Sequence, residues 1–273
     1  MIVERKYLGA EKALKKVLPD LFPELTYSEI QACLRRRDVK IDGVRASTDS
    51  LLVPTGALLS LYPKKKKEIK VLFEDENLLA CYKPKGIASE GDGSFEEIVR
   101  AEKGEVILMH RLDTNTDGVL LFAKNSTAYG ELFSAMKEGK IVKTYLAEVY
   151  GHPPKGEEIS LDYFYKKDAK EGRALISDIP KSGYLPVHIS FSVVKEGAES
   201  STLSVTLHKG KTHQIRAMLA HYGAFILGDG KYGSDKVNRR LGISKTLLTA
   251  SALSFDLPKG SPLSYLNGIT ISL

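Results

Sequence analysis

Residues 110–123 set the strongest constraint on how this chain can fold. His110-Arg111-Leu112-Asp113-Thr114-Asn115-Thr116-Asp117-Gly118 is polar and rich in turn formers, and Val119-Leu120-Leu121-Phe122-Ala123 follows it without a polar residue. A short continuous apolar run after turn signals predicts a buried strand, which would hold the loop before it on a rigid element. That placement suits a functional carboxylate. Two other readings of the loop stand beside it. Asp113-x-Asn115-x-Asp117-Gly118 matches the opening of a calcium-binding EF-hand loop, but the twelfth position, which requires a bidentate Glu, is Lys124, and a strand rather than a helix follows. An Asp among such neighbours also serves as a plain turn or cap residue.

The 273 residues allow one large domain, or a small one and a larger one. No apolar run is long enough to span a bilayer, and the start Met-Ile-Val-Glu-Arg-Lys-Tyr lacks the apolar block of a secretory signal, so a cytoplasmic location is expected. Cys33 and Cys81 stand far apart in unlike contexts, which suggests neither a disulfide framework nor a zinc site. Charge is informative once it is located. Up to Lys70 there are 15 Lys or Arg against 9 Asp or Glu, whereas the remaining 203 residues carry 25 of each. The whole excess of +6 therefore lies in the first quarter, as in a polyanion-binding module attached to a neutral body, or in a solvated basic face.

Taken in order, residues 11–21 place Leu14, Val17, Leu18 and Leu21 at helical spacing, and Pro23 interrupts the pattern. Thr26-Tyr27-Ser28-Glu29 is a capping box for a second helix that buries Ile30, Cys33 and Leu34 and ends in Arg35-Arg36-Arg37. Val39-Lys40-Ile41, the turn Asp42-Gly43 and a strand over 58–62 complete a small module at 1–63. Residues 64–70 read as a basic linker. In the body, 71–273, strands are expected at 71–73 and 78–82 around the turn 74–77. Ser126 is expected to cap a helix burying Tyr129, Leu132, Phe133 and Met136. Alternation marks Tyr145-x-Ala147-x-Val149, Val187-x-Ile189-x-Phe191-x-Val193 and Leu203-x-Val205-x-Leu207, and a helix follows Gly210-Lys211-Thr212-His213-Gln214-Ile215-Arg216. The expected class is α+β, with a mixed, mostly antiparallel sheet and helices packed on it.

Two resemblances give these elements a function. Residues 8–62, through Ser28-x-x-Ile30 and Val39-Lys40-Ile41-Asp42-Gly43, resemble the S4 RNA-binding domain. That likeness implies phosphate contact by Arg35, Arg36, Arg37 and Lys40, which positions RNA without reading its sequence. Three further stretches resemble the RluA family of pseudouridine synthases: 110–118, Lys143-Thr144-Tyr145-Leu146-Ala147-x-Val149-x-Gly151, and 210–216 with Gly228-Asp229-x-x-Tyr232-Gly233. The resemblance implies Asp113 as catalytic carboxylate, Tyr145 as the ring stacking on the target base, Arg216 as partner of Asp113, and Arg111 as the side chain filling the gap left by the flipped nucleotide. It implies no cofactor and no metal. The implied substrate is structured RNA, of the 23S-type large-subunit ribosomal kind, and a monomer is expected.

The chemistry agrees with these residue types. Pseudouridine formation breaks the C1′–N1 bond and remakes the glycoside at C5 without adding water, so a carboxylate beside the sugar acts either as nucleophile at C1′ or as base at C2′. Three departures from the family pattern concern the rim of the pocket: Asp117 in place of Ser, Thr249 where His is common, and 87–90 where the family has His-Pro. Two rival classes are a non-catalytic RNA-binding or ribosome-assembly protein on the same fold, and a glycoside hydrolase using Asp113 and Asp117.

Overall fold

The computed structural model describes residues 2–62 and 69–273, so most of the basic stretch 64–70 lies outside the described residues. The chain divides into two compact units, Met1–Glu68 and Ile69–Leu273.

In the first unit the helices Leu14–Leu21 and Tyr27–Arg35 share a core with a four-stranded antiparallel sheet, ordered Val3–Lys6, Leu58–Leu61, Val39–Ile41, Val44–Arg45. The capping box forms as its residues predict: Thr26 Oγ1 accepts from Glu29 N at 3.3 Å and Glu29 Oε2 accepts from Thr26 N at 2.7 Å. Asp42 and Gly43 both take positive φ, 47° and 82°, the backbone that a two-residue hairpin turn matching strand twist requires. Two details differ from expectation, and one strand lies where none was predicted. The first helix starts at Leu14, because Lys12–Ala13 pairs with Leu52–Val53 instead. The second ends at Arg35, with Arg36 as its cap and Arg37 left-handed at φ 57°. Val3–Lys6 is a strand without alternation, since Glu4, Arg5 and Lys6 are all exposed on the sheet's edge, where charge discourages further pairing.

The second unit is built on an eleven-stranded sheet. Its path runs Arg173–Ser177, Ile159–Asp168, Leu185–Glu196, Ser200–Leu207, Ile141–Tyr150, Leu248–Phe255, Asp117–Ala123, Leu78–Lys83, Val71–Glu74, with Thr270–Ser272 and Ile107–Leu108 pairing off it. Every pairing is antiparallel except Asp117–Ala123 beside Leu248–Phe255. The fold is therefore α+β with a mixed, mostly antiparallel sheet.

The apolar run after the polar loop is buried on both faces. Leu120 and Phe122 enter one core, with the helices Phe95–Lys103 and Gln214–Tyr222, while Val119, Leu121 and Ala123 enter the other, with Ser126–Glu138. Gly118 makes this possible: at φ 125° it lies so close to Ala250 that a Cβ would fall 2.1 Å from that carbonyl oxygen. The helix Ser126–Glu138 corrects two expectations. Its cap is Asn125, whose Oδ1 accepts from Ala128 N at 2.8 Å, rather than Ser126. Its core face is Ala128, Leu132 and Ala135, leaving Tyr129 and Phe133 exposed, because small side chains let the helix lie close on the sheet.

Candidate active site

Asp113 sits in a cleft of about 1000 Å³ within the second unit. The loop carrying it is tied on both sides. Thr116 N donates to Asp113 O at 2.9 Å, Gly86 N donates to Thr114 O at 2.7 Å, and Met109 N donates to Leu121 O at 2.9 Å. The buried Ser89 hydroxyl donates to Leu112 O at 2.8 Å and accepts from Leu112 N at 2.9 Å. A carboxylate held this way approaches a substrate without first being ordered, which is how a rigid scaffold lowers a reaction's entropic cost.

Arg216 enters from the helix Gln214–Tyr222, 103 residues away in sequence. Its Nη1 donates to Asp113 Oδ2 at 2.8 Å, while Nε and Nη2 grip Asp229 Oδ2 and Oδ1 at 2.7 and 2.8 Å. Asp229 is fully buried and also accepts from the backbone N–H groups of Lys231 and Tyr232. Burial raises the cost of its charge, but the Arg216 guanidinium and these donors outweigh it and hold its pKa below the usual carboxylate value. The Arg216 guanidinium stands 5.3 Å from the centre of the Tyr232 ring. Asp229 and Tyr232 are the neighbours of Arg216 that sequence reasoning left without a role. The signal was there, since a buried guanidinium has five N–H donors and one carboxylate cannot satisfy them.

Tyr145 lies on the strand Ile141–Tyr150 where its pairing with Leu248–Phe255 shifts register between Thr144 and Tyr145. Such a bulge re-aims a side chain, and Tyr145 is 6% exposed on the cleft wall. Burial, with the Asp113 charge nearby, pushes its phenol pKa upward, so the ring stays neutral. Arg111 is exposed and held by Glu90, Nη1 to Oε1 at 2.5 Å. His213, at φ 57°, bonds Tyr232 Oη through Nδ1 at 3.0 Å and places Nε2 3.8 Å from Asp113 Oδ2. Gln214 braces its loop through Lys211 N and His188 O.

The second carboxylate of the loop has a different occupation. Asp117 accepts from Tyr82 Oη at 2.8 Å and Thr249 Oγ1 at 2.7 Å, with Lys85 Nζ 3.5 Å away, and it does not line the cleft. The twelfth position of the EF-hand reading, Lys124, instead donates to Glu74 Oε1 at 3.1 Å.

The body's neutral charge count hides a local excess, for seven Lys or Arg line the cleft against Glu90, Glu96 and Asp113. In the first unit Arg35 and Arg37 are exposed, Arg36 pairs with Asp38 at 2.8 Å, and Lys40 Nζ lies 5.2 Å from the Tyr62 ring centre. Among the described residues no helix is long and apolar enough to cross a membrane.

This sheet is shared with known proteins. The solved structure of human RNA Pseudouridylate Synthase Domain Containing 1 superimposes with a TM-score of 0.60 at 21% identity, covering 78% of this chain and 92% of that one. The family model for RNA pseudouridylate synthase matches residues 77–221, more than half of the chain. Curated relatives called ribosomal large subunit pseudouridine synthase C match over most of their length. The one from Rickettsia bellii is 28% identical over 82% of this chain and 83% of the relative. The one from Buchnera aphidicola subsp. Schizaphis graminum is 30% identical over 83% of this chain and 77% of the relative. The chain belongs to the RNA pseudouridylate synthase family, and it is an isomerase that converts uridine in RNA to pseudouridine.

Proposed function

We infer that this enzyme modifies uridine in large-subunit ribosomal RNA, with Asp113 as its catalytic carboxylate. The ion pair of Asp113 with an Arg216 that is itself clamped by Asp229 carries this reading, because it fixes one carboxylate at the floor of a basic cleft. The target base leaves its stack and enters the cleft, where Tyr145 supplies a ring face, worth roughly 1–3 kcal/mol per stacked base at other nucleic-acid sites. Arg111 occupies the vacancy, offsetting part of the few kcal/mol that extrusion costs. Asp113 then acts at the sugar. C1′–N1 breaks, the freed uracil turns, C5 bonds to C1′, and the C5 proton is released while N1 gains one.

The first unit serves as an S4-like RNA-binding module, on the strength of its basic surplus and the exposed Arg35 and Arg37. The ribosomal assignment draws on the names of the curated relatives. Its test is a pseudouridine map of ribosomal and transfer RNA from cells with and without the gene. Loss of a signal in large-subunit RNA supports the assignment, and loss confined to transfer RNA overturns it.

A further inference from the structure

The helix Ser126–Glu138 turns Ala128, Leu132 and Ala135 into the core and leaves its aromatic residues outside. Tyr129 is 37% exposed and Phe133 55% exposed. Four residues apart, they share a helix face, with ring centres 5.8 Å apart and planes inclined by 28°. A single exposed aromatic asks for no explanation, but this pair adjoins the site. Phe133, Met136 and Lys137, all on this helix, line the same cleft as Asp113. An apolar strip thus runs from the helix surface to the cleft's mouth.

The charges around the strip indicate what would cover it. Lys137 and Lys209 are exposed, line the cleft, and form no ion pair among the described residues. Lys209 is next to the end of the helix, for its Cε stands 3.4 Å from where a Cβ on Gly139 would be. Flat apolar rings flanked by free cations match a single-stranded nucleic acid, whose bases stack and whose phosphates seek ammonium groups. An apolar protein partner would have no use for the cations.

We propose that Tyr129 and Phe133 form a stacking platform for an unpaired base flanking the target uridine, with Lys137 and Lys209 contacting the phosphates beside it. The proposal rests on the reading that the cleft takes a flipped uridine from RNA, and it extends the bound segment beyond that nucleotide.

The test uses the full-length enzyme and a fluorescein-labelled dodecamer of uridylate, with a matched dodecamer of abasic riboses that keeps the phosphates and lacks the bases. Anisotropy should show Phe133→Ala weakening binding of the uridylate roughly tenfold, within the range known for base–aromatic stacking. Phe133→Trp should restore it, and the abasic strand should bind wild type and Phe133→Ala alike. On the RNA fragment where modification maps, Phe133→Ala should raise KM and leave kcat within about twofold, since Phe133 touches no reacting atom. Tyr129→Ala provides a second variant should Phe133→Ala fail to fold. Equal uridylate binding by wild type and both alanine variants overturns the platform, as does an equal loss on the abasic strand or an absence of base-dependent binding by wild type. The catalytic reading fails separately, by turnover surviving in Asp113→Asn, an outcome on which these anisotropy values do not depend.

Discussion

Thr249 donates its hydroxyl to Asp117 Oδ1 at 2.7 Å, across the one parallel pairing of the sheet, where the two residues stand directly opposite. Both are departures from the family pattern, and they satisfy each other. Tyr82 fills the other oxygen at 2.8 Å, so Asp117 is committed to fastening the loop's exit to the sheet. This relationship also answers the glycoside hydrolase reading, which requires a second carboxylate free to act on substrate.

Asp117→Ala should therefore cost stability. Its loss strands the Tyr82 and Thr249 hydroxyls in a mostly buried place, at about 1–3 kcal/mol, which for a unit of this size lowers Tm by several degrees. Asp113→Asn should lower Tm much less, because Arg216 keeps its two-point pair with buried Asp229 and the amide oxygen still accepts from Nη1. Isomerisation should be abolished, because an amide keeps the shape but is neither nucleophile nor base. Turnover above a tenth of wild type in Asp113→Asn would remove Asp113 from the catalytic role.

Asp229→Asn is expected to damage both stability and turnover. It breaks the two-point pair between Arg216 and a fully buried carboxylate and leaves the guanidinium only the partly exposed Asp113, and breaking a buried ion pair costs about 3–5 kcal/mol. Arg216 would then hold Asp113 less firmly, so kcat should fall even at temperatures where the variant is folded. A variant with wild-type kcat and unchanged denaturation midpoint would show that the clamp is dispensable.

The legible parts of the fold were those where local pattern and tertiary packing agree. The run 119–123 is a buried strand because both of its faces have helices over them, and Thr26 with Glu29 is a cap in any context. Asp113 and Arg216 were nameable through motifs despite lying 103 positions apart. What periodicity missed is decided by neighbours. Tyr129 and Phe133 have helical spacing, but Ala128 and Ala135 face the sheet, and spacing alone does not say which of two stripes is covered. The bulge at Tyr145 and the clamp on Arg216 depend on register and on a distant loop, which no local window contains.

Arg111 bears on how the free enzyme receives RNA. In the role proposed for it, filling the flipped nucleotide's place, it must leave Glu90, and both side chains are exposed. Glu90→Gln should weaken that hold and remove a negative charge from the cleft's rim, lowering KM by a few fold at low salt, with the difference shrinking as salt rises. A KM that rises in Glu90→Gln would mean that Glu90 contacts the RNA or shapes the loop.

Lys143 gives the enzyme a pH dependence with a definite sign. It is 7% exposed, donates to His208 O at 2.9 Å, and has no carboxylate partner among the described residues, so burial pulls its pKa down to about 8. Below that pH the folded protein carries the cost of a buried ammonium. Between about 8 and 10.5 the unfolded chain still holds the proton that the folded one has lost, so stability rises with pH in that window. Lys83, also pulled down to about 8 by burial, adds in the same direction. Urea denaturation at pH 7 and 9.5 should show a gain on the order of 1–2 kcal/mol from Lys143, absent in Lys143→Met. A Lys143→Met protein with the same pH response as wild type would assign the effect elsewhere.

The first unit's part in RNA binding is open to a salt titration. Arg35 and Arg37 are exposed and unpaired among the described residues, whereas Arg36 is drawn back to Asp38 at 2.8 Å and touches Cys33 Sγ at 3.7 Å. Each phosphate contact releases counterions and adds about 0.7 to 0.9 to the slope of log affinity against log salt. Replacing Arg35 and Arg37 together by Ala should flatten that slope by roughly 1.4 to 1.8 units and raise KM. Arg36→Ala should change the slope little, because its charge is already spent on Asp38. Turnover at saturating RNA should survive in all of them, since the Asp113 cleft lies wholly in the other unit. Equal slopes for wild type and the double variant would make this helix end a solvated face and place RNA docking on another surface.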